Sequence, residues 1–293
     1  MGKLKIVKAK MLATIQDRGR FGYRKYGIPQ SGAMDIQSLN QANELVCNPK
    51  DYPGVEISLQ GLTLKALEPT AIGICGGEVD MKINQDEVKM NHAHQLLPGD
   101  ELIVSPLRKG VYSYLAISGK IQGQYDFKSI STYVLAGFGG ITGKPLQPGD
   151  VLITEDAPLF TEKVANPSLA SEKLPCIRYL EGPETFALKS ELDGVNFMVG
   201  KESNRMGILL NGPTIESSVK EIVSSGVIPG TIQLLPNGSP VVLMNDGQTT
   251  GGYPRIGKVI DKDLGKLAQV RPGHSIVMLK ASISEAIAAS LNK

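Results

Sequence analysis

The sequence has 293 residues, enough to bury a core and to divide into two domains. Hydrophobic residues make up 41% and charged residues 20%, the balance of a globular chain rather than a disordered one. The formal charge of +2 excludes a strong field for a polyanionic partner, and a 5% aromatic share without Trp offers no stacking platform for single-stranded nucleic acid. No run reaches the roughly 18 apolar residues of a membrane-spanning helix. Cys47, Cys75 and Cys176 are odd in number, far apart and without a CxxC pair, which fits a reduced compartment.

The N-terminus, MGKLKIVKAK, alternates charged and apolar residues as a strand does and lacks the apolar core of a signal peptide, so the chain is read as cytoplasmic. Next comes TIQDRGRFGYRKYGIPQSGAMD (14–35), which crowds Asp17, Arg18, Arg20, Arg24, Tyr23 and Tyr26 among glycines. Such a loop can present guanidinium forks to a carboxylate or phosphate. The periodicity of AMDIQSLNQANELV predicts a helix over 33–46, with Cys47 beyond it as a packed small side chain.

Short apolar runs between turn signals dominate the rest of the chain, the punctuation of a mainly β fold. One pattern recurs: LPGDELIV (97–104), QPGDVLIT (147–154) and RPGHSIVML (271–279) each place Pro-Gly in a turn and then a strand. His92 and His94 share a face if they lie in a strand, but no third ligand lies nearby, so a surface or polar-core role is expected. STYVLAGFGGITGKP (131–145) crowds glycines beside Lys144. It lacks the Walker A spacing and the dinucleotide fingerprint, which leaves a glycine-rich hairpin or a backbone nest for an anion. The polar, proline-containing stretch at 160–176 reads as the linker. The expected organisation is 1–160, a linker over 161–176, and 177–293.

Two more stretches carry polar residues beside glycines. In SNRMGILLNGP (203–213) Arg205 precedes an apolar strand; in GVIPGTIQLLPNGSPVVLMNDGQTTGGYPRIGKV (226–259) Gln233, Asp246, Gln248, Thr249, Thr250 and Tyr253 surround Gly251 and Gly252. This is the composition of a small polar-substrate site at strand ends. Helices are expected over 261–270 and 282–293. The second opens on a Ser282–Glu285 capping box and lines Ile283, Ile287 and Leu291 along one stripe as a surface cover. No GxSxG or HExxH motif and no biotin-carrier Met-Lys-Met occurs.

Taken in order, the 14–35 block, the 131–150 block, SNRMGILLNGP and the 229–273 block resemble the family known as the 5-oxoprolinase C subunit, allophanate hydrolase subunit 2 or KipA, a biotin-dependent carboxyltransferase family. The resemblance covers nearly the whole chain and implies two cyclophilin-like β-barrel units with a few short helices. It implies a subunit of an ATP-hydrolysing 5-oxoprolinase acting on a small lactam or amide. ATP would be used through the complex, with a B-type sibling (allophanate hydrolase subunit 1-like) and a LamB/YcsF-like A-type subunit. Other relatives imply a carboxyltransferase component of a urea or amide carboxylase, with biotin supplied on another protein, or a non-catalytic antagonist of a kinase inhibitor. Carried onto this chain, the motif residues imply catalytic roles for Asp17, Arg20, Asp35, Arg205 and Asp246. They imply substrate contacts from Tyr26, Ser31, Gln233, Thr249, Thr250, Gly251, Gly252 and Tyr253. No metal is implied. The chain departs from the family pattern at Ser225 (usually Glu), Gly247 (usually Arg), and Lys120 and Cys47 (usually Gly).

Overall fold

In the computed structural model, residues 2–9, 13–158, 160–166 and 174–291 are described. The apolar runs fold as strands, and the chain forms two compact units, Met1–Arg20 with Ser31–Ala170 and Phe21–Gln30 with Ser171–Lys293. The sequence boundaries give Phe21–Gln30 to the first unit; the structure gives it to the second. The reason is a pair of hydrogen bonds from Arg24 Nη2 to the Val227 and Gln248 carbonyls, at 2.6 and 2.8 Å. Part of the expected linker, 167–173, lies outside the described residues.

In the first unit, one sheet has the order Lys120–Ile121, Val151–Glu155, Gly2–Ala9, Leu62–Glu68, Glu101–Val104, Met81–Ile83 and Asp86–Val88. The other runs Ala13–Gln16, Gly54–Ser58, Lys109–Ile117, Thr70–Glu78 and Ala93–Leu96. Period-two patterning sets the faces up to Ile6: Leu4 and Ile6 are buried while Lys5 between them is exposed, and a register shift between Ile6 and Lys8 then turns Lys8 outward. Leu4, Ile6 and Leu64 from the first sheet join Ile15, Ile72 and Leu115 from the second in one core. Each such side chain contributes about 1.5–3 kcal/mol on burial.

Helix α1, Ile36–Leu45, is shorter than the expected 33–46 because Asp35 is its N-cap, accepting from Ser38 N–H at 3.2 Å. Its Leu39 and Leu45 lie so close to the sheet that a Cβ on Gly54 or Gly73 would stand 2.6 or 2.7 Å from them. At its far end Asn48 N–H donates to Asn43 O and Cys47 N–H to Glu44 O, closing a Schellman motif with Cys47 at φ +58°. The left-handed conformation there is the physical reason a glycine suits this position.

The second unit is a closed barrel in the order Cys176–Glu181, Arg255–Val259, Thr231–Leu234, Pro240–Leu243, Gly207–Asn211, Asn196–Val199 and Ser275–Lys280. The closing seam between Cys176–Glu181 and Ser275–Lys280 is parallel. Helix α2, Asp261–Ala268, is fixed by Asp263, whose carboxylate takes a fork of hydrogen bonds from Arg178 at 2.9 and 2.7 Å. Helix α3, Ile283–Leu291, forms the expected capping box, Glu285 N–H to Ser282 Oγ and Ser282 N–H to Glu285 Oε2. Its Ile283, Ile287 and Leu291 are exposed, and the half-buried residues are Ala286 and Ala289. The apolar stripe expected to serve as a cover therefore faces outward. No helix among the described residues is long and apolar enough to cross a membrane.

The recurring Pro-Gly pattern is one structural device used three times. Asp100, Asp150 and His274 donate back to Leu97, Gln147 and Arg271, with Gly99, Gly149 and Gly273 at φ +97°, +102° and +86°. Each turn then docks on a neighbouring strand through a reciprocal pair: Gly99 with Asp100 on Ala66, Gly149 with Asp150 on Ile6, Gly273 with His274 on Val199. Two copies lie in the first unit and one in the second.

Candidate functional site

In the first unit the chain leaves the Ala13–Gln16 strand into a polar knot centred on Asp17. Its carboxylate accepts from Gly19 N–H at 2.7 Å, Ser129 Oγ at 2.7 Å, Ser131 Oγ at 2.6 Å and Ile130 N–H at 3.0 Å. Arg20, 1% exposed, donates from Nε to Asp126 O at 3.1 Å and from Nη2 to Ser131 O. Its guanidinium carbon sits 4.7 Å from the centre of the Phe138 ring. Asp17 and Arg20 thus meet through Ser131, with the glycine-rich loop packed over the arginine. That loop is a hairpin-like turn bridged between Tyr133 and Phe138, and Gly139 is needed because a Cβ there would stand 2.7 Å from Arg20 Nη2.

Ser31 comes next with φ +54°, fully buried, its hydroxyl without a hydrogen-bond partner among the described residues. It leads into Gly32, whose backbone abuts Arg18 and Gly19, and into Ala33, whose N–H donates to Asp17 O. Asp35 uses its carboxylate on Ser38, and its N–H donates to Tyr114 Oη at 2.7 Å. Tyr114 Oη donates to Glu56 at 2.8 Å, and Glu56 also accepts Met34 N–H. Burial, with the Glu56 and Asp35 charges beside it, pushes the Tyr114 phenol well above its ordinary range. Glu56 and Tyr114 anchor the 31–35 segment; sequence reasoning missed both, since they sit inside apolar strands with no motif around them.

The second unit holds the remaining residues. Arg205 and Asp246 form a forked pair at 2.8 and 3.0 Å, and Asp246 N–H donates to Arg205 O. Gln233, fully buried, accepts from Gln248 Nε2 at 3.1 Å and donates to Tyr253 O at 3.3 Å. A Cβ on Gly251 would lie 2.5 Å from the Gln233 amide, so this glycine is a close-approach position. Thr250 and Gly251 pair with Ser225 and Gly226 as a short ribbon, extended by Val227 N–H to Thr249 O and Ile222 N–H to Gly252 O. Thr249 is half-buried and Thr250 exposed. Tyr26 is exposed, in the turn Arg24–Tyr26, with the Lys25 ammonium 5.0 Å from its ring centre.

Arg24, in the 14–35 motif but not among the expected site residues, bridges the two sides of this ribbon through the Val227 and Gln248 carbonyls. Burial lowers its pKa. The departures also find physical settings. A side chain on Gly247 would meet Met206 O and Met244 O at 2.8 and 2.9 Å, so this backbone has no room for one. Ser225 Oγ is buried without a partner among the described residues. Lys120 rests its ammonium 5.0 Å from the Tyr125 ring centre. His92 and His94 bond to the Met90 and Lys89 carbonyls, and no metal-binding cluster occurs among the described residues.

The family model described as "Carboxyltransferase domain, subdomain A and B" matches residues 26–279. The chain is 35% identical to the 5-oxoprolinase C subunit of Haemophilus influenzae over 96% of its own length and 92% of that protein's. It is 35% identical to the 5-oxoprolinase C subunit of Escherichia coli over 98% and 94%. The crystal structure of the Kluyveromyces lactis urea amidolyase superposes with a TM-score of 0.91 at 28% identity, over 97% of this chain and 19% of that one. With the fold, the motif blocks and the family model in agreement, the chain belongs to the carboxyltransferase-domain family that includes the 5-oxoprolinase C subunit.

Proposed function

We propose that this chain is a subunit of an ATP-dependent 5-oxoprolinase, opening a small lactam together with a B-type sibling and a LamB/YcsF-like A-type subunit in the cytoplasm. The supporting observation is end-to-end likeness: the chain spans 92% and 94% of two 5-oxoprolinase C subunits. The urea amidolyase structure is matched over only 19% of its length. In this reading the Thr249–Tyr253 turn, backed by Gln233, meets the lactam. The Arg205–Asp246 pair holds the neighbouring backbone, through Asp246 N–H on Arg205 O. A planar amide resists attack because negative charge must build on its oxygen, and fixed donors at a glycine-lined turn suit that need. ATP enters through the complex.

A second reading, transfer of a carboxyl group from biotin to an amide nitrogen, is favoured by the family model's description. It requires a biotinylated carrier supplied by another protein. The experiment is co-purification with the sibling and A-type subunits, followed by ATP hydrolysis assayed with 5-oxoproline, urea and other small amides. Turnover dependent on 5-oxoproline and on all subunits is expected. Turnover only with urea and a biotinylated carrier selects the second reading, and full activity of this chain alone refutes the shared complex.

A further inference from the structure

We propose that Arg24 fixes the Gln248–Gly251 segment and gives the site its preference for an anionic lactam, a ring amide that carries a carboxylate. The inference deepens the 5-oxoprolinase reading and rests on it. Three other arginines of the second unit spend their charge on a forked carboxylate: Arg178 on Asp263, Arg205 on Asp246 and Arg255 on Glu184. Arg24 instead donates to two neutral carbonyls, Val227 O and Gln248 O, and its Nη1 is buried without a partner among the described residues.

That contrast has two physical consequences. Charge-assisted hydrogen bonds to both sides of the 225–226/250–251 ribbon set where Thr249 and Thr250 stand, since Thr249 comes directly after the gripped Gln248 carbonyl. The positive charge is also left uncompensated by any carboxylate bonded to it among the described residues, in a half-buried place where water screens it less than at the surface. A neutral amide such as urea gains nothing from that charge. A lactam acid such as 5-oxoproline does. The same guanidinium thus orders the segment and selects the class of molecule.

The test uses the reconstituted complex with Arg24→Gln, which keeps hydrogen-bonding capacity and loses charge, and Arg24→Lys, which keeps charge and loses the planar guanidinium whose Nη2 reaches both carbonyls. Arg24→Gln is expected to raise KM for 5-oxoproline about tenfold more than it weakens inhibition by 2-pyrrolidinone, the same ring without the carboxylate; Arg24→Lys is expected to retain most of the preference. Equal losses for the two lactams, or none, would overturn the selection. Hydrogen exchange of amides in 222–227 and 248–252 reads the ordering role without any assay of turnover. Faster exchange confined to those segments in both variants supports it, and unchanged exchange overturns it. A wild-type complex inactive on 5-oxoproline would refute the functional reading and the selection with it, while exchange still decides the ordering role.

Discussion

Asp17 shows how a residue that looks catalytic in the sequence can be consumed by the fold. Its carboxylate receives four hydrogen bonds, two from serine hydroxyls and two from backbone N–H groups. An oxygen so engaged holds a loop and is poorly placed to take a proton from a substrate. Asp35 and Asp246 are similarly committed, to Ser38 and to Arg205. The sequence reveals these acids but not their partners, because Ser129 and Ser131 lie 112 and 114 positions from Asp17. Replacing Asp17 by Asn turns one acceptor into a donor facing donors, which leaves buried groups unsatisfied. The expected cost is about 2–4 kcal/mol, each lost partner being worth roughly 1–3 kcal/mol. A urea midpoint that moves by less than the equivalent of about 1 kcal/mol would show that the knot does not hold the first unit together.

At the scale of elements, the three Pro-Gly turns isolate one physical quantity. Gly99, Gly149 and Gly273 have φ of +97°, +102° and +86°, and a Cβ on any of them would meet nothing within 4 Å. Substitution by Ala therefore adds no clash, only the cost of holding an L residue in a left-handed conformation. Each Gly→Ala variant is expected to lose about 1–2 kcal/mol, the three alike, by thermal or urea unfolding. Costs that differed widely among the three would mean that the repeated hydrogen-bond pattern is not one device. The turns themselves are readable in the sequence because each closes within four residues, whereas their docking on Ala66, Ile6 and Val199 is not. Also readable is the capping box of α3, while the expected 261–270 overruns the end of α2 at Ala268. Periodicity alone starts α1 three residues early because it cannot show that Asp35 caps the helix. The outward stripe of α3 is not readable: periodicity shows that Ile283, Ile287 and Leu291 share a face, but two alanines decide which face lies inward.

At the scale of the molecule, the crossing of Phe21–Gln30 into the second unit is the feature that local reasoning could not reach, since it depends on Arg24 meeting residues 203 and 224 positions away. It also makes a prediction about how the chain can be divided. A fragment of residues 171–293 contains every strand of the closed barrel and its parallel seam, with Phe197, Ile232, Val242, Ile256 and Ile276 buried. Closure leaves no open edge, so the fragment is expected to keep a β-type circular dichroism spectrum and slow exchange in 231–234 and 240–243. It lacks Arg24, however, and with it the charge-assisted bonds to the Val227 and Gln248 carbonyls. Such bonds are worth about 1.5–3 kcal/mol, so amides in 222–227 and 248–252 should exchange about ten- to hundredfold faster in the fragment than in the full chain. Equal exchange rates would mean that the 21–30 segment only rests on the second unit. An unfolded fragment would mean that the barrel needs the borrowed segment to form, and that the chain folds as one cooperative body despite its two compact units.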